Sequence, residues 1–269
     1  MRPLSDHDAK QWADIASEAR GVFSDIDDTL THNGALVPEA YSALCRARAA
    51  GLRIVLVTGR PAGWAEVLAA LFPIDAAIAE NGAVAALPGG TRVYFESEAE
   101  RTAGARLRSA ALASVRRELP QIRLASDQAL REIDLAFDIA EREQVPEPTI
   151  DHLVRILATA GLRTTRSSIH LHGTFSAGDK ATMSARIAAQ LWGEPAELVR
   201  ESYLFVGDSP NDAPAFAFFR HAIGVANIRD HLPRLAALCA TPWAIASAES
   251  GLGFAEIIDR LLAARDAES

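Results

Sequence analysis

Cysteine is almost missing from this chain, with two in 269 residues, and neither Cys45 nor Cys239 stands at metal-ligand spacing. That excludes a disulfide-stapled fold and a cysteine-based zinc site, and both thiols are expected to be buried in a reducing cytoplasm. Lys/Arg-rich runs are also missing: 27 basic against 35 acidic residues leave a formal net charge of −8. A nucleic-acid partner, which needs a concentrated positive footprint, is excluded on those grounds. No apolar run approaches the ~20 residues of a membrane helix, so no membrane partner is expected. Residues 1–20 carry no apolar stretch of the secretory kind, which makes the cytoplasm the expected setting. What is present, 49% hydrophobic and 23% charged residues, is the make-up of a globular protein with one large or two modest domains.

Short apolar runs alternate with helical patterns, which predicts βα units around a mostly parallel sheet. The runs are Gly21–Ile26, Arg53–Val57, Ala76–Ala79, Tyr203–Val206, Ala222–Ala226 and Trp243–Ala246. Pro38–Ala50 spaces Ala40, Leu44 and Ala47 at helical intervals and closes at Gly51. A second helix opens near Pro61, with Trp64 in its core or against a neighbouring domain. From Ala83 to His172 the order changes: strands Ala83–Ala86 and Arg92–Phe95, a helix over Glu98–Glu118, and strands Ile122–Ala125 and Glu132–Ile139. A helix over Glu147–Ala160 and strands Leu162–Arg166 and Ser168–His172 complete it. The expected fold class is therefore α/β: a Rossmann-like, doubly wound, mostly parallel core (residues 1–82 and 173–269). Residues 83–172 form an inserted α+β domain.

Four of the core runs end in polar clusters: Ser24–Asp28, Thr58–Arg60, Glu80–Gly82 and Gly207–Asp212. Ligand crevices of open α/β sheets lie at the carboxyl ends of strands, so these clusters are expected to meet at one rim. Clustered carboxylates repel unless a cation neutralises them, and hard oxygen donors of this kind suit Mg²⁺ bridging protein to phosphate. The alternative is that the aspartates only cap helices and shape turns. Thr58 and the N–H groups after it are placed to hold phosphate oxygens at a helix N-terminus. Lys180 would neutralise charge on nucleophile and phosphate, or be a solvated lysine opening a helix.

Asp25-Ile26-Asp27-Asp28-Thr29, Thr58-Gly59-Arg60, Lys180 and Gly207-Asp208-Ser209-Pro210-Asn211-Asp212 resemble the four ordered motifs of the haloacid dehalogenase superfamily. The resemblance implies Asp25 as nucleophile, forming an aspartyl-phosphate, and Asp27 as general acid and then base. It implies Mg²⁺ held by Asp25, the Asp27 backbone carbonyl and Asp208, with Asp212 close by. The acid at Asp27 sets the chain apart from the superfamily's dehalogenases and P-type ATPases. Only 33 positions separate Asp25 from Thr58, whereas 122 separate Thr58 from Lys180 and hold the insert. That layout is similar to the C2 cap class, subclass IIB, which includes Cof-type sugar phosphatases and sucrose-phosphate phosphatase. Glu80-Asn81-Gly82 resembles the turn that faces substrate in that group. Asp28 departs from the group, where glycine is common.

Substrate contacts are expected from Gly59, Arg60, Asn81, Gly82, His170 and His172. The two histidines stand two apart on a strand and share a face; they contact sugar hydroxyls or a second anion, or are ordinary strand positions. The function implied is a Mg²⁺-dependent phosphatase for a small, polar, sugar-type phosphate ester. A phosphomutase and a phosphate-binding module without turnover are the alternatives.

Overall fold

The structure, a computed structural model, describes residues 2–4, 9–167 and 169–267. The chain enters through β1 (Arg2–Pro3) and α1 (Ala9–Glu18), followed by β2 (Gly21–Ser24) and a small hairpin of β3 (Thr31–His32) and β4 (Ala35–Leu36). Then come α2 (Pro38–Ala49), β5 (Arg53–Val57), α3 (Ala62–Leu71), β6 (Ala76–Ala79), β7 (Val84–Ala86) and β8 (Arg92–Tyr94). The insert contributes α4 (Glu98–Glu118), β9 (Asp134–Asp138), α5 (Glu147–Thr159), β10 (Arg163–Arg166) and β11 (His170–Thr174). The return runs through α6 (Lys180–Trp192), α7 (Ala196–Ser202), β12 (Tyr203–Gly207), α8 (Ala213–Phe218) and β13 (His221–Gly224). It ends with α9 (Leu232–Ala237), β14 (Ala244–Ile245) and α10 (Ser250–Asp266).

Nine strands form one sheet in the order β1-β14-β13-β12-β2-β5-β6-β7-β8. Pairing is parallel from β1 through β6, and β7 and β8 add antiparallel. Successive side chains of a strand face opposite ways, so each apolar run feeds two cores. Val22, Ile54, Leu56, Leu204 and Val206 pack on one side with Trp12, Leu44, Phe254 and Ile258. Phe23, Val55, Val57 and Phe205 pack on the other with Met183, Ile187 and Phe216. Each such side chain contributes about 1.5–3 kcal/mol of burial, and the helices on both faces give the mostly parallel, doubly wound α/β fold the sequence predicts.

A second sheet, β10-β11-β9, is antiparallel throughout. Helices α4 and α5 cover it, bringing Val115, Leu153 and Leu157 against Leu135, Phe137 and Leu171. Helix α4 starts sharply because Ser97 and Glu100 form a reciprocal capping box.

Several expectations need correcting. Ala83–Ala86 and Arg92–Phe95, assigned to the insert, contribute β7 and β8 to the large sheet instead. The cause is the turn before them: Glu80, Asn81 and Gly82 all have positive φ (49°, 56° and 107°), which folds the chain straight back along β6. Ile122–Ala125 supplies only an isolated bridge, Leu124 to Phe137. Ser168, the expected start of the last insert strand, lies outside the described residues. Both cysteines are exposed: Cys45 lies off the buried stripe Ala40, Ala43, Leu44 and Ala47, and Cys239 sits in a left-handed turn after α9. Trp64 is 44% exposed, since α3 turns Ala62, Ala65, Leu68 and Ala69 inward.

Gly82 is where this backbone tolerates least change. A Cβ there would stand 2.2 Å from the Asp179 carbonyl oxygen, at a φ that side chains rarely adopt. Gly82→Ala is expected to destabilise the fold by about 3 kcal/mol, strain and overlap combined. Denaturant unfolding checks this, and an unchanged midpoint would contradict the close approach.

Candidate active site

Strands β12, β2 and β5 are adjacent and parallel, so the residues just past their ends meet. Asp25 follows β2, its N–H donating to the Val206 carbonyl at 2.8 Å. Thr58 follows β5 and Asp208 follows β12. Lys180 opens α6, whose N-cap Asp179 accepts from the Thr182 N–H. From there its side chain, 1% exposed, reaches under the rim.

Lys180 Nζ donates to Asp25 Oδ1 at 2.6 Å, Asp212 Oδ1 at 2.5 Å and Asn211 Oδ1 at 3.4 Å. Burial opposes its charge, but Asp212 and Asp25 outweigh that and raise its pKa. Burial pushes the Asp25 carboxyl well above the ordinary range; Lys180 pulls it down while Asp212 and Asp27 push it further up. Asp208 is raised by burial and then by Asp25 and Asp212. Asp25, Asp208 and Asp212, all buried, bring ligand oxygens within 4.8 Å of one another. One lysine therefore stands among three carboxylates, whose excess negative charge a bound proton or a second cation would relieve.

The rest of the rim orients this cluster. Asp212 Oδ2 accepts from the N–H groups of Asp208 (3.1 Å) and Ser209 (3.2 Å). A Cβ on Gly207 would fall 2.6 Å from that same oxygen, so glycine is needed there. Asp208 accepts from Thr29 Oγ1 at 3.4 Å and Asn227 Nδ2 at 3.3 Å. Asp28 has φ 54°, a left-handed backbone that explains why glycine suits this position in the resembling group. Here an aspartate occupies it, with its N–H bonded to Thr31 Oγ1 and its carbonyl to Asn227 Nδ2.

Asp27 lies apart from the three clustered carboxylates. Arg60 grips it from Nε at 3.1 and 2.9 Å and from Nη2 at 2.6 Å. The Arg60 guanidinium also lies over the Trp64 ring, 4.8 Å from its centroid. Thr58 Oγ1 accepts from the Arg60 N–H at 3.0 Å, and the Thr58 carbonyl accepts from the Asn81 N–H at 3.0 Å. The Asn81 amide stands over Gly59, and its buried Oδ1 lacks a hydrogen-bond partner. Asp25, Asp27, Thr58, Gly59, Arg60, Asn81, Gly82, Lys180, Asp208 and Asp212 are thus linked in one region.

His170 and His172 stand apart, buried in the insert with ring centroids 5.8 Å from each other. His170 Nε2 pairs with Glu141 at 3.0 Å and His172 Nδ1 with Asp134 at 2.8 Å. Asn227 and Arg131 of this region escaped the sequence reading, and Glu80 entered it only as part of the Glu80-Asn81-Gly82 turn. Asn227 lies three residues past the end of β13 at the same rim, a position the strand-end argument reaches. The Glu80 carboxylate accepts from the N–H groups of Ala62, Glu132, Ile133 and Asp134. Burial and then Asp134 raise its pKa to about 8 against those donors. Arg131 has no sequence signal at all.

A family model described as haloacid dehalogenase-like hydrolase matches residues 22–106. A protein named phosphoglycolate phosphatase from Haloarcula marismortui is 30% identical over 215 residues, 78% of this chain and 86% of the relative. Among solved structures, Thermoplasma acidophilum 0175 superposes with TM-score 0.72 at 19% identity, covering 91% of this chain and 98% of that one. A HAD/COF-like hydrolase from Plasmodium vivax gives 0.69 at 16% identity (95% and 99%). The sucrose-phosphatase from Synechocystis sp. PCC6803 gives 0.64 at 16% identity (90% and 98%).

Proposed function

The chain belongs to the haloacid dehalogenase-like hydrolases and is a phosphatase; from that premise we propose that it is of the Cof-type and sucrose-phosphatase-like subclass and hydrolyses a small polar phosphate monoester through an aspartyl-phosphate on Asp25, with Mg²⁺ as cofactor. The observation that carries this reading is Lys180 bonded to both Asp25 and Asp212, with Asp208 beside them. The donor set, all hard oxygens with excess negative charge, fits Mg²⁺. Asp25, Asp208 and the Asp27 backbone carbonyl would hold it, with Asp212 adjacent. Bound there, it would supply charge neutralisation for the phosphate and the nucleophile.

The chain's own residues do the rest. One Asp25 carboxylate oxygen attacks phosphorus while Lys180 holds the other, Oδ1. The Thr58 hydroxyl and the N–H groups after it receive phosphate oxygens. Asp27 gives a proton to the departing alkoxide and takes one from the water that cleaves the aspartyl-phosphate. Arg60 holds that carboxylate in place. Asn81, with a buried oxygen to satisfy, faces the incoming group.

For the substrate, the subclass resemblance supports a sugar phosphate. A phosphorylated short carboxylic acid is the second reading, supported by the relative named phosphoglycolate phosphatase. Assaying phosphate release from a panel holding both classes decides between them. Isomerisation of a sugar phosphate without release would instead establish a phosphomutase. Chelation by EDTA is expected to lower turnover at least about 100-fold, and added Mg²⁺ to restore it. Undiminished activity in chelator would reject the metal.

A further inference from the structure

Arg131 belongs to the insert, yet its side chain is only 1% exposed and reaches the core. Its Nη1 donates to the Gly59 carbonyl at 2.8 Å and to the two Asp134 oxygens at 3.1 and 3.2 Å. Its Nε and Nη2 donate to Asp127 at 3.2 and 3.3 Å. Asp134 in turn pairs with His172, and Asp127 also favours the charge of Arg60. The Gly59 carbonyl and the Arg60 N–H belong to one peptide unit. Arg131 fastens its oxygen; Thr58 Oγ1, at 3.0 Å, fastens its hydrogen. A planar peptide held at both ends cannot rotate, and the residue it carries is Arg60, whose guanidinium grips Asp27 in two-pronged fashion.

We propose that Arg131 is a positioning residue: from the inserted domain it locks the Gly59–Arg60 peptide and so sets the place of the Asp27 carboxylate. The placement of the acid then depends on the inserted domain being seated. The proposal rests on the reading of Asp27 as the proton donor. It gives the charges buried with Arg131 a task that packing alone does not require, because a buried ion network is no better for stability than apolar residues of the same volume.

The test compares phenyl phosphate with p-nitrophenyl phosphate, which match in shape but differ in how much the leaving oxygen needs a proton. The readout is the rate of leaving-group release at saturating substrate for wild type, Asp27→Asn and Arg131→Met. In wild type the two esters are expected to react within a few-fold of each other. Asp27→Asn is expected to slow phenyl phosphate at least about 10-fold more than p-nitrophenyl phosphate. Arg131→Met is expected to reproduce that selective loss, with a smaller change in KM. A variant that merely loosens the fold would slow both esters alike, and that result, or no loss, overturns the proposal. Selective loss in Asp27→Asn alone overturns it while leaving the Asp27 reading intact. No selective loss in Asp27→Asn removes that reading, and the proposal with it. Should Arg131→Met not fold, as judged by circular dichroism, Arg131→Gln combined with Asp134→Asn relieves the buried charge and is read the same way.

Discussion

Asp25→Asn is expected to lower phosphate release at least about 1,000-fold while leaving the protein folded. The loss is large because an amide oxygen is a poor nucleophile and no other carboxylate replaces it. Asp27 is held by Arg60, and Asp212 has both oxygens engaged, one by Lys180 and the other by two N–H groups. The fold survives because the substitution removes a charge that burial, Asp212 and Asp27 all disfavour. Lys180 keeps Asp212 as its partner at 2.5 Å. Steady-state phosphate release and a denaturant titration check both halves. Retention of most activity would remove Asp25 from the chemistry.

The second large effect falls on stability as well as rate. Lys180→Met is expected to destabilise the protein by about 3–5 kcal/mol, since it leaves Asp25 and Asp212 buried without their cation. Turnover is expected to fall at least about 100-fold, because the charge facing the transferred phosphoryl group goes with it. If Asp25 and Asp208 hold Mg²⁺, the variant should also gain more stability from added Mg²⁺ than wild type does. Thermal unfolding with and without the ion measures that difference. Wild-type stability in the variant would mean that the three carboxylates do not depend on the lysine.

The rim was legible in the sequence because each of its parts sits at the carboxyl end of an apolar run, where strand geometry decides its position. Asp25, Thr58 and Asp208 could be placed from that pattern alone. Lys180 needed the resemblance, since its own neighbourhood reads as a solvated helix start; its burial comes from α6 packing onto the sheet. The start of the insert was misread because Val84–Ala86 and Arg92–Tyr94 look like any short strands. Three consecutive positive φ values at Glu80, Asn81 and Gly82, two of them at residues with side chains, send them back to the core sheet. The core alternative for Trp64 failed because α3 is apolar on both sides, so its pattern does not say which side faces in. Arg131 stayed hidden for another reason. Its partners Gly59, Asp127 and Asp134 come from two separate segments, and no local periodicity announces a buried arginine between them.

Everything assigned to the rim turns on a covalent phosphate at Asp25, and that can be sought directly. Enzyme mixed with substrate and Mg²⁺ is quenched in acid and treated with borohydride, which reduces an acyl phosphate to the alcohol. Peptide mass spectrometry then reads the residue at position 25. Homoserine there, in protein that received substrate and not in protein that did not, is the expected result. Turnover with position 25 unchanged, or with another carboxylate reduced in its place, would contradict it.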